Sequence, residues 1–285
     1  MSSLNILIFL FFPLIAQSNN IFNYLPNKVG SNIVEHSHYT LGYNEEHEQA
    51  SWVAYRLTGH QIQNPITKRK DNFRSDPKVK TGSATLSDYK GSGYDRGHLA
   101  PAADFKWSAT AMSESFYMSN MSPQVPGFNR GIWKNMESTV RNWAVENDEI
   151  YIVTGPVLEN TLGSIGSNRV SIPSQYYKVI LDYKKPDIKG IGIIMPNEKS
   201  DASLSFYAVS IDEVERVTGI DFFPELPDKI ETRIESNINV TNWSWGKSKS
   251  YTTNKKSSFK KEVVNNDSER LPAGASIQCS GSTKK

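Results

Sequence analysis

Cysteine is almost absent from this sequence, and so are the patterns that depend on it. Cys279 is the only cysteine among 285 residues, so the chain cannot form an intramolecular disulfide and must be held together by packing. No Cys/His pair has the spacing of a zinc site. The sequence therefore excludes a disulfide-stapled fold and a structural zinc site of the Cys/His kind.

Long hydrophobic runs are also scarce, and the clearest one lies near the start. Residues 5–16, with the sequence NILIFLFFPLIA, are apolar but too short to cross a bilayer with their flanks. They predict a secretory signal peptide over residues 1–18, although no Lys or Arg precedes the apolar run. A buried N-terminal strand and a retained membrane anchor stay open as alternatives. Cleavage of the leader would leave a secreted or periplasmic protein with no stable membrane association.

A strong charge of one sign is missing as well. The formal net charge is +2, but residues 246–285 carry nine Lys/Arg and three Asp/Glu, which leaves 23 basic and 27 acidic residues in positions 1–245. The tail over 246–285 has few large apolar residues, which predicts disorder. Residues 19–245 are expected to form one folded domain. Because this body is slightly acidic, it would need a local basic cluster to bind nucleic acid.

The order of periodic segments predicts an α+β fold. Apolar or alternating runs predict strands over residues 50–58, 149–154, 176–183 and 190–195. A predicted helix after Gly127 carries an apolar stripe made of Ile132, Met136, Val140 and Trp143. Another is predicted from a capping box at Ser210 to Gly219, and residues 59–93 read as a long surface connection. Since the segments lack a βαβ rhythm, we expect a central, mostly antiparallel sheet flanked by helices.

The segment Tyr94–Asp104, with the sequence YDRGHLAPAAD, is the most suited to chemistry. Imidazole has an unperturbed pKa of about 6.5, so His98 can accept a proton from water at neutral pH. The guanidinium of Arg96 can bind a phosphate through paired hydrogen bonds. The two residues suit phosphodiester hydrolysis, although an isolated Asp-Arg-Gly-His tetrapeptide would be better interpreted as an ordinary surface turn.

Two further segments give this motif its context: YMSNMSPQ over residues 117–124 and FNRGIWKNME over residues 128–137, with Arg141 one turn later. In this order and at this spacing, the motifs resemble the DNA/RNA non-specific endonuclease family, the ββα-metal or His-Me finger nucleases. The resemblance extends from Tyr39 to Pro227. It implies a ββα-metal active site, with His98 on a β-hairpin arm that faces the helix entered by Asn129.

The resemblance also implies a reaction. His98 would be the general base that deprotonates the attacking water. Asn129 would be the only direct protein ligand of a Mg²⁺ ion, for which Mn²⁺ can substitute, and Asp95 would orient the motif. DNA and RNA would be cut with little sequence preference, leaving 5′-phosphate ends. The sequence leaves a homodimer open.

Several further residues receive roles from the same resemblance. Arg96 and Arg141 would bind the phosphate and stabilise its developing charge. Asn120 matches a family asparagine that lies in the active site. A family arginine upstream of the motif matches either Arg69 or Arg74, and both stay open.

Helical spacing limits what Glu137 can do. On a straight helix, Asn129 and Glu137 would lie about 12 Å apart along the axis, so they cannot share one ion's inner shell. One neutral oxygen ligand with a more distant carboxylate suits magnesium, which keeps several waters. We therefore expect Glu137 to hold water molecules around the ion. A surface ion pair with Arg141 is the alternative.

Two other function classes also stay open. One is a nucleic-acid-binding protein that has lost catalysis, against which the intact set of His98, Asn129 and Glu137 argues. The other is a phosphodiesterase that acts on small or lipid substrates through the same metal site. Trp107 and Trp133 could stack on bases, but tryptophans in such a context more often belong to the core.

Overall fold

The computed structural model describes residues 23–27 and 32–246. The expected signal peptide over residues 1–18 lies outside these residues, as do Cys279 and all of the expected disordered tail except Gly246. Within the described residues, no helix has the length and apolar character needed to cross a membrane.

A seven-stranded antiparallel sheet forms the centre of the domain. Numbered in chain order and given in spatial order, its strands are β1 (Asn32–Glu35), β2 (Thr40–Asn44), β3 (Gln49–Thr58), β6 (Glu149–Val157), β9 (Gln175–Asp182), β10 (Lys189–Pro196) and β11 (Ala208–Val209). Two short antiparallel pairs lie outside this sheet: β4 (Asp95–His98) with β5 (Met121–Gln124), and β7 (Ser164–Ile165) with β8 (Val170–Ser171).

Helices cover both faces of the sheet. The α-helices of the described residues are α1 (Gly59–Gln63), α2 (Leu86–Tyr89), α3 (Ala109–Glu114), α4 (Lys134–Glu146), α5 (Ile211–Thr218) and α6 (Asp228–Glu235). Shorter 3₁₀ turns occupy Ala102–Phe105, Met118–Asn120, Leu204–Tyr207 and Val240–Asn242, and a π-helical turn spans Phe128–Trp133. Helix α4 packs on one face, whereas α5 and α6 pack on the other.

Strand β9 shows how one sheet serves two cores. Tyr176 and Ile180 lie in the core beneath α4, while Tyr177 and Val179 lie in the core beneath α5 and α6. This alternation follows from the two-residue period of a strand. Lys178 shares the parity of Tyr176 and therefore points into the α4 core, where it contacts an aromatic ring.

The helices begin and end as their sequences favour. The side chain of Ser210 accepts a hydrogen bond from the Glu213 backbone N–H at the start of α5, and Gly219 ends the helix with φ at +66°. Only half of the expected capping box forms, because the Glu213 carboxylate binds Arg216 instead. The apolar stripe of the helix after Gly127 is buried as predicted.

The predicted α+β fold with a mostly antiparallel sheet is confirmed, and its four longest strands lie where the sequence places them. The region 59–93 is less of a surface connection than expected. It contains α1 and α2, and it buries Val79, Ala84 and Tyr89. Lysine, aspartate and glycine are frequent in this region, so its few scattered apolar residues form no pattern that would predict burial.

Candidate active site

His98 is the last residue of β4 and lies among aromatic rings. The centre of its ring is 5.0 Å from that of Phe116 and 5.7 Å from that of Phe73. The side chain is buried, and Nε2 has no hydrogen-bond partner among the described residues. Burial lowers the pKa of His98 to about 3, and the nearby cations Arg69 and Arg96 act in the same direction. The imidazole is therefore neutral at physiological pH, as a general base must be.

The glycine before His98 lets β4 and β5 approach each other. A Cβ atom on Gly97 would lie 2.1 Å from Oε1 of Gln124, a buried side chain that would have to move. Strands β4 and β5 are joined by residues 99–120, which include α3. The expected β-hairpin arm is thus an antiparallel strand pair without a tight turn, because residues 99–120 separate its two strands.

Asp95 fixes the orientation of Asn129. The Asn129 side-chain nitrogen donates a 2.9 Å hydrogen bond to Oδ2 of Asp95, and Arg130 donates two more to the same carboxylate. Burial alone would raise the pKa of Asp95, but the hydrogen bonds from Arg130 and Asn129 outweigh it and lower the pKa. Because an ionised carboxylate only accepts hydrogen bonds, the amide nitrogen must face Asp95 and the amide oxygen must face away. Asp95 therefore orients the Asn129 side chain.

The helix that carries Asn129 and Glu137 is not straight. A π-helical turn over Phe128–Trp133 precedes α4, and Gly131 leaves helical geometry with φ −106° and ψ −110°. The expected four-residue spacing from Asn129 to Glu137 therefore crosses a change of direction. A separation read from a straight helix does not apply here.

Glu137 lies near several charged groups but forms no ion pair within 4.0 Å in the described residues. No salt bridge connects it to Arg141, so the surface pair that the sequence left open as an alternative does not form. Burial raises the pKa of Glu137 to about 7 and the charge of Asp104 adds to the rise, although the cations of Lys178, Arg141 and Arg69 oppose it. Glu137 is thus a half-buried carboxyl group whose charge depends on neighbouring cations.

Lys178 is a site residue that the sequence did not reveal. Its ammonium lies 4.3 Å from the centre of the Trp133 ring and donates a 3.1 Å hydrogen bond to Thr154 Oγ1. The side chain is 1% exposed, and burial lowers its pKa against the attraction of the Glu137 carboxylate. Its position inside the apolar run of β9 could have indicated a functional role, because a lysine is rarely buried without a partner.

Arg141 is held by a buried carboxylate. Its Nη1 donates a 2.8 Å hydrogen bond to Asp104, whose other oxygen accepts one from Tyr55 at 2.8 Å. The second guanidinium nitrogen, Nη2, donates to Ser138. Only 17% of the Arg141 side chain is exposed. Arg141 would therefore act on the site mainly through its positive charge.

Two other arginines stack on the aromatic rings that surround His98, whereas Arg74 stacks elsewhere. Arg96 stacks 4.4 Å from the Phe73 ring, Arg69 lies 4.9 Å from Phe116, and both lower the pKa of His98. Arg69 also lowers the pKa of Glu137. Arg74 instead stacks on Tyr117 and donates three hydrogen bonds to Asn72 and Ser113. The structure therefore brings Arg69 to the site and uses Arg74 to hold a loop.

Asn120 lies beneath the motif and is committed to the backbone. Its oxygen accepts from the Ala100 N–H, and its nitrogen donates to the carbonyls of Ala100 and Ser115, each at 2.9 Å. The side chain is fully buried. Asn120 thus supports the segment after His98 and does not present a free group to a substrate.

The two tryptophans considered for base stacking differ in their surroundings. Trp133 is fully buried and packs against Phe128 and Tyr176, so it belongs to the core. Trp107 is partly exposed and donates its indole N–H to the Asp104 carbonyl.

The donor set fits a hard divalent cation with few protein ligands. Asp95 turns the amide oxygen of Asn129 away from itself, and Glu137 offers a carboxylate that no ion pair of the described residues occupies. Magnesium prefers oxygen ligands and keeps several waters, so such a sparse set is sufficient. Within the described residues, a group of three or more side chains close enough to bind one metal ion together occurs only on α5 and α6, and it consists of carboxylates.

The antiparallel sheet, its flanking helices and the unit that carries His98 and Asn129 define the fold class of the ββα-metal nucleases. Comparison with known proteins assigns the family. The model of the DNA/RNA non-specific endonuclease family matches residues 17–229, and the chain belongs to that family.

Named relatives agree with this assignment. The chain is 38% identical over 212 residues to a nuclease of Nostoc sp., covering 70% of this chain and 76% of the relative. It is 35% identical over 202 residues to human mitochondrial endonuclease G, covering 66% and 68%. A crystal structure of endonuclease G in an inhibitory complex matches with a TM-score of 0.65 and 32% identity, over 70% of this chain and 88% of that one.

Proposed function

We propose that this enzyme is an exported, Mg²⁺-dependent endonuclease that hydrolyses both DNA and RNA and leaves 5′-phosphate ends. The observation that carries the proposal is the orientation of Asn129. Its amide nitrogen is bound by an ionised aspartate, which leaves one neutral oxygen for a hard cation on the strand-and-helix unit that also carries His98.

His98 supplies the proton acceptor in this proposal. Its neutral imidazole takes a proton from the water that attacks phosphorus. Burial keeps the ring neutral in the free enzyme, and the negative charge of a bound phosphate next to the ring would raise its pKa and strengthen it as a base. The aromatic rings of Phe73 and Phe116 restrict the ring's movement.

Asn129 and Glu137 would hold the metal ion, Asn129 directly and Glu137 through surrounding water. Bound magnesium, or manganese in its place, would stabilise the leaving oxygen and the charge that develops on phosphorus. Glu137 must be ionised for this role. The positive charges of Lys178, Arg141 and Arg69 oppose the rise in pKa that burial causes, and a cation bound near Glu137 would lower that pKa further.

Arg96 and Arg69 are the proposed phosphate ligands. Both guanidinium groups lie near His98 and stack on aromatic rings. The Nε of Arg69 donates to Asp71, so its terminal nitrogens would contact the phosphate, together with the guanidinium of Arg96. Arg141 would contribute its charge while Asp104 holds it in place. Asn120 has a supporting role in this scheme.

The proposed site recognises the backbone of a nucleic acid. All the residues above suit a phosphate, a water molecule or a cation, and contacts of this kind carry no base information. Weak sequence preference and activity on both sugars follow from this. Each proposed active-site residue comes from one chain, so the proposal holds for a monomer and for a homodimer alike.

Export to the periplasm or the medium, without stable membrane association, rests on the apolar leader over residues 5–16. Fractionation of a culture that expresses the full chain tests it. N-terminal sequencing of the recovered enzyme should find a mature chain that begins near residue 19.

Digestion of supercoiled plasmid and total RNA tests the activity. With Mg²⁺, both substrates should be degraded, and the products should accept a radioactive phosphate only after phosphatase treatment. Excess EDTA should stop both reactions. Substrate binding without cleavage would indicate a relative that has lost catalysis, and hydrolysis confined to small or lipid phosphodiesters would replace the proposed substrate class.

A further inference from the structure

The side of the sheet opposite α4 carries a group of carboxylates that the proposed reaction does not use. Asp212 and Glu215 lie three residues apart on α5, and Glu235 lies in the last turn of α6. One carboxylate oxygen from each of the three residues lies within 4.8 Å of the others. Residues three apart share a helix face, so α5 presents two carboxylates together towards α6.

Glu235 makes this group more than an acidic surface. The residue is only 8% exposed, and its Oε1 is buried without a hydrogen-bond partner among the described residues. A buried, unpartnered carboxylate oxygen is costly. Its place in the last turn of α6 adds to that cost, because the C-terminal end of a helix disfavours negative charge. Both costs would be removed by a cation bound at Glu235.

The chain itself supplies no such cation in the described residues. None of the ion pairs formed there within 4.0 Å includes Asp212, Glu215 or Glu235. The one hydrogen bond to Glu215 comes from the Phe222 backbone N–H, which occupies Oε1 and leaves the other oxygen available.

We propose that Asp212, Glu215 and Glu235 bind a calcium ion that links α5 to α6. Calcium takes six to eight oxygen ligands in flexible geometry, so three carboxylates from two helices can be completed by water. Magnesium demands a near-octahedral shell and is less suited to ligands fixed on two separate helices. This ion stabilises the fold and takes no part in cleavage, since α5 and the α4 core lie on opposite faces of the sheet.

Protons are the competing ligand at this position. Burial raises the pKa of Glu215 to about 7 and that of Glu235 to about 8, and neighbouring carboxylates such as Asp221 add to both. Calcium binding at neutral pH therefore displaces protons, which makes the apparent affinity rise with pH.

Thermal unfolding of the EDTA-treated full chain, titrated with CaCl₂, tests the proposal. For a site with a Kd of about 1 mM, about 10 mM Ca²⁺ should raise the Tm by about 3–6 °C. The Asn129→Ala variant, which lacks the proposed ligand of the catalytic ion, should show the same rise. The rise should disappear in Glu235→Gln and persist in Glu213→Gln, a matched change on α5 outside the group.

The Ca²⁺-free baseline adds a second readout. Glu235→Gln should be as stable as the wild type or more so at pH 8, since it removes a buried charge. If that variant does not fold, Asp212→Asn should lose the same rise, because Asp212 is exposed and tolerates the change. A wild type whose Tm does not respond to Ca²⁺, or a Glu235→Gln variant that responds as the wild type does, would overturn the proposal. Nuclease activity enters none of these readouts.

Discussion

The side-chain nitrogen of Asn129 donates a 2.9 Å hydrogen bond to Oδ2 of Asp95. One residue at the start of β4 therefore decides which atom of an asparagine on the facing helix is offered to a cation. The proposed metal site is therefore oriented by the strand that also ends in His98. Strand and helix must keep their relative position for either residue to work.

Replacing Asp95 should weaken metal binding without removing the direct ligand. In Asp95→Asn the amide of Asn129 loses its charged acceptor, so its oxygen is no longer fixed. The Mg²⁺ concentration for half-maximal activity should rise about 10–100-fold, as it does when groups that orient metal ligands are lost. Arg130→Ala is the control and should change it less, because the bond to Asn129 remains. An unchanged Mg²⁺ requirement in Asp95→Asn would refute this role.

Removal of the His98 imidazole should affect turnover and spare binding. His98→Ala should lower kcat by about 10²–10⁴-fold, the usual contribution of a general base. Substrate binding should stay close to that of the wild type because Arg69 and Arg96 remain. Single-turnover and gel-shift measurements separate the two effects, and His60→Ala, on the exposed start of α1, serves as the control. Near-wild-type turnover in His98→Ala would end the proposed mechanism.

His98 should remain unprotonated over a wide pH range in the free enzyme. Burial, with Arg69 and Arg96, depresses its pKa to about 3, so the neutral form persists as the pH falls well below 6.5. An ordinary imidazole would be about 97% protonated at pH 5. NMR titration between pH 8 and pH 5, with the His98 signal assigned by its loss in His98→Ala, should show no protonation. A titration midpoint near pH 6.5 would contradict the burial argument.

Lys178 should control the ionisation of Glu137. Its positive charge lowers the pKa of Glu137, which burial raises. In Lys178→Met that pKa should rise further, so Glu137 becomes protonated at a higher pH. Because the ionised form is the active one, the acid limb of the kcat/KM profile should move to higher pH, and activity lost at pH 7 should return in more alkaline buffer.

The control for this change is Thr154→Val, which removes the hydrogen bond to Lys178 and keeps its charge. Its acid limb should stay in place. Circular dichroism should first establish that both variants are folded. A uniform loss of activity at every pH in Lys178→Met would instead indicate a packing role for Lys178.

Arg69 and Arg74 should have separable effects. Arg69→Ala removes a proposed phosphate ligand and should lower kcat/KM by about 10–100-fold, the equivalent of one charged hydrogen bond, with little change in Tm. Arg74→Ala leaves the Ser113 carbonyl without its partner and should lower the free energy of unfolding by about 1–3 kcal/mol. Urea denaturation and initial-rate measurements on both variants distinguish these outcomes, and the reverse pattern would exchange the two assignments.

Much of the fold follows from short-range sequence patterns. The strand predicted over residues 149–154 is an apolar run, which the structure extends through Gly155 and Pro156 to Val157, and α5 lies between a serine cap and a glycine stop. Both depend on neighbours in sequence, so the pattern alone predicts them. The family motif likewise located His98 and Asn129 without knowledge of the fold.

The remaining site features depend on contacts between distant segments. Lys178 is 41 positions from Glu137 along the chain, and no periodicity links them. The choice between Arg69 and Arg74 rests on whether a guanidinium meets the Ser113 carbonyl, a tertiary contact. The kink at Gly131 was also hidden, since a glycine within a helical stripe is compatible with a continuous helix.

The number of residues in the π-helical turn over Phe128–Trp133 affects the geometry of the proposed active site. Each residue of an α-helix advances the chain by about 100° around the axis. One residue more or fewer in this turn would rotate Asn129 by about that angle relative to Glu137, with every functional side chain still present. The angle between Asn129 and Glu137 around the helix axis therefore depends on the number of residues in the turn. A substitution cannot restore that angle after an insertion or a deletion.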